Sequence, residues 1–156
     1  MRWKLKTKKQ PQATKSRLGP LRAISTIRSS LKERKGAPRQ GSEGAPDAWL
    51  HMNSLVVKGL DGLKVDDEIV VITWLHKARR DVLQVHPRSI ENRPLTGVFA
   101  TRSPDRPNPL GLHQVTVRQI VKNKLLIGPI EAIDGTPVVD IKPILCQRGF
   151  LAWSGS

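Results

Sequence analysis

Two guanidinium groups and a carboxamide stand at short, fixed intervals in the run Arg102-Ser103-Pro104-Asp105-Arg106-Pro107-Asn108-Pro109-Leu110-Gly111-Leu112. Prolines 104, 107 and 109 set φ, withhold backbone donors and push the residue before each toward extended backbone, so Arg106 and Asn108 ride on a stiff strut. A guanidinium makes planar bidentate contacts with a carboxylate or phosphate that an ammonium cannot. A carboxamide donates and accepts at once, which matches the edge of an adenine. Gly111 permits either close approach of a ligand or a positive φ. The same residue types also build ordinary surface turns, and Arg102 at a strand end suits a structural ion pair. On these residues alone, a binding loop and a plain turn both stand.

Three other segments carry groups capable of chemistry. His76 closes the apolar run Val71-Ile72-Thr73-Trp74-Leu75 and is followed by Lys77, Arg79 and Arg80. A neutral imidazole there either accepts a proton near neutral pH or packs as a structural side chain. Pro38-Arg39-Gln40 offers a guanidinium for phosphate and a carboxamide for a base edge. Asp134-Gly135-Thr136-Pro137 reads as a turn. Asp140 and Lys142 alternate on one strand face, where they form an ion pair or orient neighbours, so this last block supports the fold more than it reacts. The single Cys146 cannot form an internal disulfide, and no Cys/His cluster has zinc-ligand spacing, so no metal is expected.

The elements that must position these groups read as short strands. Segments 21–27, 49–57, 68–75, 96–101, 114–121 and 125–130 are β-branched or alternating and are bounded by Gly, Pro, Asn and Asp. Val115, Val117 and Val121 are expected on one face of their strand, with Thr116, Arg118 and Ile120 on the other. Trp74 and Phe99 are expected in core strands, which leaves Trp49 or Trp153 for stacking. No long amphipathic helix breaks the pattern. No strand runs into Gly-x-Gly-x-x-Gly opening a helix, which argues against a Rossmann-type domain. The fold class expected is all-β, with few short helices.

With 156 residues, 38% hydrophobic and 26% charged, the chain suits one domain over residues 21–147, flanked by a basic N-terminal tail, 1–20, and a short C-terminal tail, 148–156. The formal charge is +14, and seven Lys/Arg with no acid fall in the first twenty residues. Such a tail lacks apolar periodicity and is expected to be disordered, as a solubilising extension or as an RNA-binding arm. The excess favours polyanions, with affinity that falls steeply with salt. No apolar run is long enough to span a bilayer and no secretory h-region opens the chain, so no membrane association and a cytoplasmic location are expected.

The stretch Gly97-Val98-Phe99-Ala100-Thr101 and the loop after it resemble the signature of the TsaA-like (TrmO) family of tRNA adenosine N6-methyltransferases. Gly36-Ala37-Pro38-Arg39-Gln40 upstream, the strand ending in His76, and the block from Asp134 to Pro143 match in the same order, so the likeness spans roughly residues 20–145. His113 stands where a small hydroxyl residue is common, and Ile144 where an aromatic is common. The resemblance implies a small β-barrel, commonly a homodimer, that binds S-adenosyl-L-methionine and methylates N6 of threonylcarbamoyladenosine at position 37, in the tRNA anticodon loop. It also implies cofactor contacts from Pro38, Arg39, Gln40, His76, Arg102, Ser103, Arg106, Asn108, Gly111, Leu112, Asp134 and Thr136, with Arg106, Asn108 and His76 at the reacting centre. Two other functions fit the residues: a same-fold methyltransferase with another substrate, and a non-enzymatic RNA-binding barrel.

Overall fold

A computed structural model describes residues 19–87 and 92–145. The tail through Leu18, Cys146, Trp153 and the C-terminal segment lie outside the described residues. The strands are β1 (Ser25–Arg28), β2 (Ala48–Met52), β3 (Glu68–Trp74), β4 (Gln84–Val85), β5 (Thr96–Gly97), β6 (Leu110–Val121), β7 (Lys124–Gly128) and β8 (Pro137–Pro143). Six of them close an antiparallel barrel in the order β1-β2-β7-β6-β3-β8, while β4 and β5 pair separately. The all-β expectation holds.

Alternation fills the barrel. Ile27, Leu50, Ile69, Val71, Val115, Val117, Leu125, Ile127 and Val138 point inward and are buried, each at every second position of its strand. Burying such a side chain is worth about 1.5–3 kcal/mol.

The boundaries differ from expectation where the apolar signal was ambiguous. Residues Ser54–Leu60 form a 3-10 helix rather than continuing β2, because Asn53 caps it by accepting the Leu55 N–H at 3.0 Å. Thr96–Gly97 is strand, but Val98–Ala100 turns into another 3-10 helix that leaves Phe99 81% exposed, so Phe99 is not a core residue. Strand β6 starts at Leu110, inside the proline-bearing run, once the last proline has passed. The face assignment in β6 also changes. The register with β7 shifts between Val117 and Gln119, so Arg118 is an extra residue. Past that bulge the faces exchange: Ile120 packs on the core and Val121 is exposed.

The strand directions place three connections at one end of the barrel. Residues 29–47 leave β1, 75–109 leave β3 and 129–136 leave β7, and each returns to a strand that starts at that same end. Trp74 and Leu110 are Cα partners, and the Leu75 N–H donates to the Pro109 carbonyl at 2.8 Å, so the long middle connection leaves and returns at one point.

Candidate active site

The three connections hold one another. Arg34 in the first donates to the Lys77 carbonyl at 3.2 Å and to the Asp105 carboxylate at 3.1 Å. The other oxygen of Asp105 accepts the Arg79 amide at 2.8 Å. Burial works to raise the Asp105 pKa, but Arg34 and the Arg79 amide outweigh it and hold the carboxyl below its ordinary value. Lys32 donates to Asp134 at 3.0 Å, and the same carboxylate accepts the Ser29 amide at 3.0 Å. Space at Gly41 is closed by the Pro129 carbonyl, 2.7 Å from where a Cβ would sit, with Glu131 Oε2 beyond it at 3.5 Å.

Within the proline-bearing loop, Arg106 works as a clamp. Its Nε donates to the Ser103 carbonyl at 2.8 Å, and its Nη2 to the carbonyls of Val98 and Thr101 at 3.0 and 2.6 Å. A planar fork is the group that can close such a turn on three acceptors at once. Arg80 adds a second brace. It donates to the Pro107 carbonyl at 3.1 Å while its guanidinium lies 5.2 Å from the Trp74 ring centroid. Asn108 projects to solvent. Among the described residues its carboxamide takes no hydrogen bond, although its main-chain carbonyl accepts the Leu110 amide at 2.8 Å. Arg102 donates to the Leu112 carbonyl at 3.2 Å, and Ser103 receives support from Thr101 Oγ1 through its amide at 3.2 Å.

The interior turns polar at this end. Thr73 and Gly111 face each other across β3 and β6, and His113 sits two residues on. His113 Nε2 is 2.9 Å from Thr73 Oγ1, and His113 Nδ1 is 2.9 Å from Glu131 Oε1. Burial pushes the Glu131 pKa up, but the His113 hydrogen bond, together with charge from His113 and Arg102, outweighs it and holds the carboxyl below its ordinary value. An ionised Glu131 only accepts, so Nδ1 carries the proton. In the neutral ring, Nε2 then accepts from the Thr73 hydroxyl. This buried chain was not singled out from the sequence. His113 was visible there only as a departure from the family pattern, and Glu131 carried no signal because its partner is eighteen positions away.

The sequence-derived candidates divide into two groups. Arg39, Gln40, His76, Arg102, Asn108 and Leu112 are exposed on the connections or strand ends at this barrel end, with Pro38 and Ser103 half-buried beside them. His76 lies two residues past the end of β3. Its pKa is lowered by partial burial and by Lys77. Gly111 points inward, where an added Cβ would stand 2.5 Å from Thr73 Oγ1 and 2.6 Å from His113 Nε2. Asp134 and Thr136 serve the architecture. Asp134 is taken by Lys32 and Ser29, and Thr136, 1% exposed, donates its hydroxyl to the Ile133 carbonyl at 2.7 Å. Asp140 and Lys142 form an ion pair at 2.8 Å. Arg34, Arg80 and Asp105 were missed as positioning groups, since their partners are remote in sequence or are main-chain atoms.

No group of three or more His, Cys, Asp or Glu suited to a metal ion occurs among the described residues. None of their helices is long and apolar enough to cross a membrane.

Comparison with known proteins places this arrangement. The tRNA-methyltransferase O N-terminal domain family matches residues 26–148. A probable S-adenosyl-L-methionine-binding protein of Methanocaldococcus jannaschii is 52% identical over 90 residues, covering 55% of this chain and 71% of that protein. The tRNA (adenine(37)-N6)-methyltransferase of Escherichia coli is 34% identical over 131 residues, covering 78% of this chain and 56% of that enzyme. The crystal structure of TrmO from Pseudomonas aeruginosa superposes with a TM-score of 0.67 at 28% identity over 88% of this chain. The chain spans 61% of the length of that solved protein. With its barrel and its matched residues in agreement, the chain belongs to the tRNA-methyltransferase O N-terminal domain family.

Proposed function

We propose that this protein is an S-adenosyl-L-methionine-dependent methyltransferase acting on N6 of threonylcarbamoyladenosine at position 37, in the tRNA anticodon loop, in the cytoplasm and as a homodimer. One observation carries the reading. Three connections are tied together at one barrel end, and the proline-bearing loop is braced there so that Asn108 is left free. The names of the relatives, which include S-adenosyl-L-methionine-binding proteins and a tRNA (adenine(37)-N6)-methyltransferase, support the same reading.

The residues at that end suit the cofactor's chemistry. Arg39 and Arg102 are exposed guanidinium groups fit for its carboxylate or for an RNA phosphate. Asn108 and Gln40 carry carboxamides without hydrogen bonds among the described residues, fit for adenine edges of cofactor and target. Arg106 contributes by holding the loop in shape. When bound, S-adenosyl-L-methionine supplies an electrophilic methyl group on a sulfonium. The carbamoyl substituent already draws electron density from N6, so no strong base is needed. His76, neutral near pH 7 because its pKa is lowered, receives the N6 proton on its imidazole nitrogen. The main contribution of the chain is orientation of the target base.

The test is transfer of labelled methyl from S-adenosyl-L-methionine into threonylcarbamoyl-modified tRNA, with nucleosides resolved by mass spectrometry and unmodified tRNA as control. Label confined to the modified adenosine supports the proposal. Cofactor binding without transfer would redirect it to another substrate, and absence of both would leave an RNA-binding barrel.

A further inference from the structure

The half of the barrel wall formed by β1, β2 and β7 plays no part in the site above, and its outer face has a definite chemistry. Register sets Arg28, Trp49 and Leu126 side by side in one cross-strand row and Thr26, His51 and Lys124 in the next. Arg28 and Lys124 are exposed, and Trp49 and His51 are half-buried. None of these three strands contains Asp or Glu. Neither Arg28 nor Lys124 forms an ion pair among the described residues. Asp134 lies close enough to feel Arg28, but it is held by Lys32 and the Ser29 amide. Lys124 stands opposite His51 and Arg28 lies in the adjacent row, and the His51 pKa is lowered by burial and by the charges of Lys124 and Arg28.

A concavity of about 300 Å³ opens where β1 begins and β2 ends, lined by Ala23, Ser25, Thr26, His51 and Asn53. Ser25 shares the inward side of β1 with Ile27 and its hydroxyl is buried, so the side chains that the concavity presents outward are those of Thr26, His51 and Asn53.

We infer that the outer face of β1, β2 and β7 is a docking surface for the backbone of an RNA strand, with Arg28 and Lys124 on phosphates, Trp49 stacked on a base, and the concavity at Thr26 and His51 receiving a phosphate or ribose oxygen. The argument is one of complementarity. Cations flanking an aromatic on an open sheet face, with no carboxylate among them, match the alternating charge and π-faces of a single strand. The surface faces away from β3 and β6, so it holds a part of the RNA other than the reacting nucleotide. The inference rests on the reading of the substrate as RNA, but not on methyl transfer.

The experiment is a fluorescence-anisotropy titration of the full chain with labelled, unmodified tRNA from low to high salt, so that binding is read without turnover. R28Q/K124Q is expected to weaken binding about tenfold at low salt and to lower the slope of log affinity against log salt by about 2, since two phosphate contacts are lost. W49L is expected to weaken binding about tenfold with the slope unchanged. K58Q/K64Q removes the same charge from the connection between β2 and β3 and serves as control. If the two double variants behave alike, or if the wild-type chain does not bind tRNA, the inference is overturned. Photocrosslinking of the wild-type chain to tRNA, mapped by mass spectrometry, gives a reading free of any folding defect in the variants. Adducts at Trp49 or His51 support the surface, and adducts confined to residues 34–40 and 97–112 overturn it. Methyl-transfer failure with intact, face-dependent tRNA binding would overturn the proposed activity alone.

Discussion

His113 Nδ1 and Glu131 Oε1 lie 2.9 Å apart and join the inside of β6 to the connection between β7 and β8. The bond stands at the polar end of the barrel interior and is shielded from water on the histidine side. Removing one partner leaves a buried polar group unsatisfied. Glu131→Ala is therefore expected to destabilise the fold by about 1.5–3 kcal/mol. Urea unfolding measures this, and a change under about 0.5 kcal/mol would show that the pair is dispensable.

Arg106 spans three carbonyls with one planar group. A lysine preserves the charge but cannot reach three acceptors. Arg106→Lys is expected to lose nearly as much kcat/KM as Arg106→Ala, about tenfold or more, through misplacement of Asn108. If Arg106→Lys turned over like wild type, charge rather than geometry would be the relevant property.

The pH dependence of stability follows from two carboxyls. Asp105 and Glu131 have folded-state pKa values lowered from 3.8 and 4.5. Each contributes stability that is fully present above those ordinary values and is lost as pH falls through the lowered ones. Asp105→Asn should thus narrow the gap in melting temperature between pH 7 and pH 3, as read by circular dichroism. An unchanged gap would remove Asp105 from the account.

If His76 accepts the N6 proton, the rate should fall as pH drops through its pKa, which lies below 6.5 because of burial and Lys77. His76→Ala should flatten that acid limb as well as lower the rate. Retention of the limb in the variant would assign it to another group.

Gly111→Ala would press a methyl group against Thr73 and His113. Overpacking of this kind costs about 1–3 kcal/mol, and here it also displaces Leu110 and Leu112 at the start of β6. Thermal unfolding checks the first effect and cofactor titration the second.

Much of the fold was legible in short apolar segments bounded by turn residues. β3 and β7 show as β-branched or apolar runs, and the middle of β6, through Val115 and Val117, as alternation. Alternation could not locate the bulge at Arg118, because a single extra residue changes the faces only where the partner strand fails to match it. Phe99 was misplaced for a related reason: an aromatic among small and β-branched residues looks like strand until the local hydrogen bonds close a 3-10 turn. At the site, the groups on the proline-bearing loop were legible as chemistry. Their braces were not. Arg34 and Asp105 are 71 positions apart, and Arg80 meets a main-chain carbonyl that any residue would supply.

The meeting of Trp74 with Leu110 gives the long connection a single doorway in the barrel wall. The excursion between these residues is anchored at both ends by the strands that flank it and along its length by Arg34 of the first connection. Lengthening such an excursion adds closure entropy only slowly, about 0.6 kcal/mol for each doubling. Residues 29–47 and 75–109 therefore form one unit on an unchanged barrel, and grafting the two connections together between related barrels is the direct way to move substrate preference.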